Sequence, residues 1–147
     1  MHDATGESTL IPASHIRTLL PQAGPWLERS LSEFSWQRWT IESIVEELLK
    51  GNLQLWAARE QKVYLFVVTE VVLEMTGKSV HVILGGGKLD RERVVLRHIG
   101  TIEEWAKGIG ANSLVVWGRL GWKKMLAPHG YEFETAMFRR TFTERMN

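Results

Sequence analysis

With 147 residues, 44% of them hydrophobic and seven of them tryptophan, the chain can fill one core, which fits a single domain spanning 1–147. Lys plus Arg number 18 against 17 for Asp plus Glu, a net charge of +1, so no general field draws the protein to nucleic acid or to an anionic membrane, and any anion site has to be local. Cysteine is absent, which removes disulfides, thiolate metal sites and cysteine nucleophiles together and suits a reducing cytoplasm.

The opening MHDATGESTL lacks a basic segment followed by an apolar one, and no apolar run approaches the roughly 18 residues needed to span a bilayer. The expectation is a cytoplasmic protein without a membrane or specific nucleic-acid partner. Residues 1–12 read as a polar arm and 13–51 as a helical region. From His15 to about Leu31 the apolar spacing is helical. Pro21 and Pro25 each remove a backbone donor and restrict the residue before them, so two short helices are expected. Thr40 reads as an N-cap, followed by Ile41, Ile44, Val45, Leu48 and Leu49 on one face and by Gly51 as the stop.

After Asn52 the texture changes to β-branched and aromatic runs: LQLWAA, KVYLFVVTEVVLEM and SVHVILG. The short turns REQK and MTGK predict an antiparallel meander, with Gly77 available for a positive φ. The third run ends in Gly85, Gly86 and Gly87. Leu89, Val94, Val95, Leu96, Ile99, Ile102, Trp105 and Ala106 then keep helical spacing up to Gly108 and Gly110. SLVVWG, from Ser113 to Gly118, has the look of a strand buried on both faces. Strand, long helix and strand in succession predict a right-handed βαβ crossover with parallel strands. A short helix in GWKKMLAPHG and a last strand in YEFETAMFRRTF complete an α/β domain: an antiparallel meander joined through the crossover to a central mixed sheet flanked by helices. Trp105, on the apolar face of the long helix, and Trp117, in a central strand, are expected to be largely buried.

The stretch IEEWAKGIGANSLVVWGRLGWKKMLAPHGYEF, Ile102 to Phe133, resembles the ending of GNAT-like proteins of tailed bacteriophages. Those read as a W-A helix, a glycine turn, an apolar strand, a GR-x-GW motif, a short helix and GY or GF. The order of elements is similar to that of the GNAT fold, the superfamily of acyl-CoA-dependent N-acyltransferases. The resemblance implies acetyl-CoA or another acyl-CoA as cofactor and an amine as acceptor. Within the family an (R/Q)-x-x-G-x-(G/A) loop grips the pyrophosphate. Gly85, Gly86, Gly87 and Lys88 stand at its place, without the initial Arg or Gln and with different glycine spacing. Lys88, Arg91 and Arg119 are the cations the resemblance sets near the phosphates, with Lys123 and Lys124 on the same rim, while Arg119 also reads as a scaffold residue bridging a carboxylate or covering Trp122.

Direct attack of an amine on a thioester needs a base for the ammonium, and often a tyrosine for the leaving thiolate. Glu70, Glu74 and His81 on the meander are the base candidates, though residues of these types on a strand are more often ordinary sheet residues. The short helix lacks the family's tyrosine. Tyr131 just beyond it is the nearest hydroxyl, and it also reads as a core aromatic with a polar tip; His129 is the alternative acid. The five histidines have no metal-ligand spacing, and there is no G-x-S-x-G elbow or Walker loop. Two functions follow from the resemblance: a phage-type N-acyltransferase, or a catalytically silent GNAT-fold component of a virion whose partners are other virion proteins.

Overall fold

The computed structural model describes residues 8–32, 39–60, 63–87, 92–117, 122–134, 140 and 142. Among the described residues, five strands form one sheet in the order β1 to β5: β1 (Ser8–Leu10), β2 (Leu53–Glu60), β3 (Val63–Glu74), β4 (Gly77–Gly87) and β5 (Ser113–Val116). The first three pairings are antiparallel, and β4 runs parallel to β5. Helices α1 (Ala13–Ser32) and α2 (Ile41–Lys50) precede the meander, α3 (Glu92–Gly108) makes the crossover, and α4 (Trp122–Leu126) follows β5. The mixed α/β architecture expected from the sequence is present.

Local chemistry accounts for the best-defined helix. At the start of α2 the Thr40 side chain accepts from the Ser43 N–H at 3.1 Å, and the Ser43 hydroxyl accepts from the Thr40 N–H at 2.8 Å, a reciprocal capping box. Gly51 ends the helix at φ 84°, where a side chain would be strained. Helix α1 departs from expectation, since it is one helix containing both Pro21 and Pro25. The carbonyls these prolines leave without a donor belong to Arg17 and Pro21. Arg17, Pro21 and Pro25 are all exposed, so the interrupted ladder faces water. Ile16, Ala23 and Leu27 on the opposite side are buried and hold the helix to the sheet.

The two sheet faces follow from register. Leu53, Leu55, Phe66, Val68, Ile83 and Leu84 face α1 and α2. Trp56, Val67, Val80 and Val82 face Ile102 and Ala106 of α3. A polar chain is buried in the second layer: the Trp56 indole donates to Thr69 Oγ1 at 3.0 Å, which donates to Gln54 Oε1 at 2.8 Å. Trp105 meets Trp56 edge to face at 5.3 Å between ring centroids. Trp105 and Trp117 are each partly buried, Trp105 packed with Trp56 and Trp117 against the α1 and α2 layer.

Three further expectations are corrected. Ser8–Leu10, taken as part of the arm, pairs with Ala58–Trp56 as an edge strand. β5 is half-buried, since among the described residues no strand lies on its outer edge. Tyr131–Glu134, the beginning of the expected last strand, lies outside regular secondary structure; 135–139 falls outside the described residues. The parallel register of β4 and β5 is fixed at its lower end. The Asn112 N–H donates to the Lys78 carbonyl at 2.9 Å, Asn112 Nδ2 to the Thr76 carbonyl at 3.0 Å, and Lys78 Nζ to the Ile109 carbonyl at 2.9 Å. Gly77, at φ 133°, lies so close that an added Cβ would stand 2.6 Å from Asn112 Nδ2.

On α3, His98 occupies the buried stripe of Val95, Ile99, Ile102 and Ala106 at 1% exposure, and neither ring nitrogen has a partner among the described residues. Burial disfavours the imidazolium and lowers its pKa from 6.5 to about 4. Between these values the unfolded chain binds the proton and the folded chain does not, so stability falls as pH drops through that window, by on the order of 3 kcal/mol. Urea unfolding at pH 7.5 and pH 4.5 should show that loss. His98→Leu should reduce it sharply and be at least as stable as the parent at pH 7.5. An unchanged pH dependence in the variant would contradict this reading.

Candidate functional site at the fork between two strands

The site grows from a mismatch in length. β4 pairs with β3 along its whole course, yet with β5 only over Ser79–Val82, opposite Ser113–Val116. The last link is the Trp117 N–H to the Val82 carbonyl at 3.1 Å. Beyond it β4 continues to Gly87 with no described strand on its β5 side. The pairing ends where β4 is bulged: Thr69 opposes Val82 and Val68 opposes Leu84, so Ile83 is the extra residue. Consecutive Ile83 and Leu84 therefore both point into the α1 and α2 layer. A bulge bends its strand and increases local twist, opening a fork between the two parallel strands. Among the described residues, the backbone of Ile83–Gly87 has no partner on the β5 side.

Gly85, Gly86 and Gly87 were expected in a loop. They are the last three residues of β4, opposite Val67, Phe66 and Leu65, because the strand pairs with β3 to its end. Lys88, Arg91 and Arg119 fall outside the described residues. Helix α3 starts at Glu92, shortly after the glycines in the chain.

Below the fork, on the α1 and α2 face, β4 presents Ser79 and His81. His81 is the register partner of Glu70 on β3 and of Val115 on β5. Its Nδ1 accepts a hydrogen bond from the Trp117 indole at 3.0 Å, its Nε2 lies 3.0 Å from the Ser79 hydroxyl, and Glu74 Oε2 is 3.8 Å from Nε2. The imidazole side chain is 15% exposed and the Glu74 carboxylate 43%, so Glu74 is the member of the pair that meets solvent. The base candidates Glu74 and His81 are thus brought together, with Glu70 directly opposite His81 in the register.

Tyr131 is not with them. It packs against Val95, Ile99 and Leu126 on the α3 face, and its hydroxyl donates to Glu103 Oε2 at 3.1 Å. Burial, and then the neighbouring Glu103 carboxylate, push the phenol above its ordinary pKa of 10.0. The sequence reading missed Ser79 and the indole of Trp117. Alternation could have found them, since Ser79 and His81 share a face of β4 and Trp117 follows Val116 onto that face.

Several solved structures of similar shape are acetyltransferases. The chain matches an aminoglycoside acetyltransferase from an uncultured soil metagenomic sample, in complex with sisomicin, over 93% of this chain and 96% of that one (TM-score 0.67, 11% identity). It matches the ribosomal-protein-alanine N-acetyltransferase of Brucella melitensis biovar Abortus 2308 over 92% and 99% (TM-score 0.60, 16% identity). An aminoglycoside N-acetyltransferase in complex with CoA is matched over 93% and 95% (TM-score 0.62, 13% identity). The fold is that of the GNAT acetyltransferases. No family model and no curated protein matches the sequence, so the likeness is one of shape. No helix among the described residues is long and apolar enough to cross a membrane.

On this GNAT frame the Tyr131 to Glu103 bond ties the segment after α4 to the middle of α3. Tyr131→Phe keeps the ring and removes the donor, and should lower stability by about 1 kcal/mol in urea unfolding. A phenylalanine variant as stable as the parent would show the bond to be without consequence.

Proposed function

We propose that the protein is an acyl-CoA-dependent N-acyltransferase that moves an acetyl or related acyl group to an amine. The observation that carries this reading is the fork. The unpaired edge of Ile83–Gly87 suits an extended, amide-bearing chain such as the pantetheine arm, which can hydrogen-bond there as an added strand. Gly85, Gly86 and Gly87 bring no side chains to that edge, and the start of α3 offers amide donors and partial positive charge to a pyrophosphate. Lys88, Arg91 and Arg119 are proposed as phosphate contacts from their positions in the sequence.

Acyl-CoA supplies the activated acyl carbon. Glu74, the solvent-facing carboxylate beside His81, takes one proton from the acceptor ammonium. The freed amine lone pair forms the C–N bond to the acyl carbon, the C–S bond breaks with its electron pair to sulfur, and a second proton from nitrogen ends on that sulfur. The products are an amide and the CoA thiol. The similarity of Ile102–Phe133 to phage proteins supports a phage-type enzyme working in the host cytoplasm. One observation favours the silent virion component instead: the Tyr131 hydroxyl is committed to Glu103.

Release of CoA thiol from acetyl-CoA is the deciding assay, with sisomicin and a peptide bearing an N-terminal alanine as acceptors, chosen from the structural neighbours. Turnover is expected with at least one primary amine. Glu74→Gln should lower kcat by roughly 10²- to 10⁴-fold with little change in the KM for acetyl-CoA. Absence of both thiol release and any thermal shift with CoA at millimolar concentration would sink the proposal.

A further inference from the structure

We infer that Trp117 is a positioning residue that locks His81 in the tautomer bearing its proton on Nε2. The inference deepens the acyltransferase reading and, for its catalytic meaning, rests on it. Trp117 Nε1 and His81 Nδ1 are 3.0 Å apart. An indole nitrogen donates and has no lone pair to offer, so Nδ1 must be the acceptor. A neutral imidazole carries one proton, which is thereby assigned to Nε2, facing the Ser79 hydroxyl at 3.0 Å and Glu74 Oε2 at 3.8 Å. The other tautomer would set two N–H groups against each other.

The contact is directional rather than simple packing. The two ring centroids are 6.1 Å apart with planes inclined by 34°, and the nitrogen atoms are at full hydrogen-bond distance. The same residue is fixed through its backbone, since the Trp117 N–H donates to the carbonyl of Val82, the residue after His81. Ser79 is fully buried, so the partner on the Nε2 side is held as well. His81 consequently has no free lone pair with which to act as base. It presents an N–H toward Glu74, and the carboxylate is left as the group that receives the acceptor's proton.

The test is nitrogen NMR on the full-length, ¹⁵N-labelled protein at neutral pH, with His81→Gln used to assign its signals among the five histidines. The expected result is a pyridine-type Nδ1, a protonated Nε2, and a through-hydrogen-bond coupling between Trp117 Nε1 and His81 Nδ1. In Trp117→Phe the coupling disappears and the two imidazole nitrogens move toward averaged positions as the tautomers exchange. A protonated Nδ1 or averaged nitrogens in the parent, or a phenylalanine variant that keeps the single tautomer, would overturn the inference. Should that variant fail to fold, the coupling in the parent decides by its presence or absence. No substrate enters this measurement, so the lock can stand while thiol release fails, and the two readings fail separately.

Discussion

The parallel pairing of β4 with β5 lasts four residues, from Ser79 to Val82, and the organisation of the candidate site depends on its stopping there. If the two strands had continued together, the edge groups of β4 would be consumed in the sheet, as backbone polar groups normally are. Ile83 prevents it. The extra residue bends β4 while its pairing with β3 resumes at Leu84, so one edge of the strand stays satisfied and the other becomes available. Among the described residues β4 is paired with β3 on one side, Ile83 excepted, and carries no strand beyond Val82 on the other, which gives a rigid prong without the cost of an irregular loop.

That rigidity is supported from both faces by unlike means. The α1 and α2 layer is apolar packing on Leu53, Leu55, Phe66 and Leu84. The α3 layer combines aliphatic contacts with the buried chain from Trp56 through Thr69 to Gln54, in which each donor has an acceptor. His98 is a polar group in an apolar stripe with neither nitrogen matched among the described residues, as the buried hydroxyls of Ser8 and Ser30 are also unmatched. It lies in the N-terminal half of α3, so the crossover helix carries two unmatched buried nitrogens.

Much of the architecture was legible because it is written in local chemistry. Thr40 and Gly51 mark α2 by capping and by a positive φ, alternation marks β2 to β4, and the glycine-bounded apolar helix marks the crossover. What was not legible depends on partners distant in sequence. Ser8–Leu10 has no strand pattern of its own and becomes β1 because Trp56–Ala58 offers an unpaired edge. The two prolines of α1 are tolerated only because they fall on its exposed side, which the position of the sheet decides. In the apolar run VHVILG nothing tells which residue is the extra one, since a bulge is a property of register against β3. Glu74 and His81 were found as residue types suited to a base, whereas Trp117 was read as core because an aromatic after an apolar strand carries no local sign that its N–H is used.

Register also links the site to a remote part of the chain. Trp117 reaches His81 only because Ser79 stands opposite Ser113, which puts Val115 beside His81 and turns Trp117 onto the same face. A slip of one residue would send the indole to the α3 face and remove the fork's last backbone bond together with the contact to Nδ1. Within β5 itself little opposes such a slip, for the strand is short and half-buried. The constraint comes from below, where Asn112 bridges Lys78 and Thr76 and Lys78 holds the carbonyl of Ile109. Gly77 leaves the space that Asn112 occupies. The position of Trp117 against His81 is therefore set at the turn after α3, and the crossover helix fixes it by delivering β5 in one register.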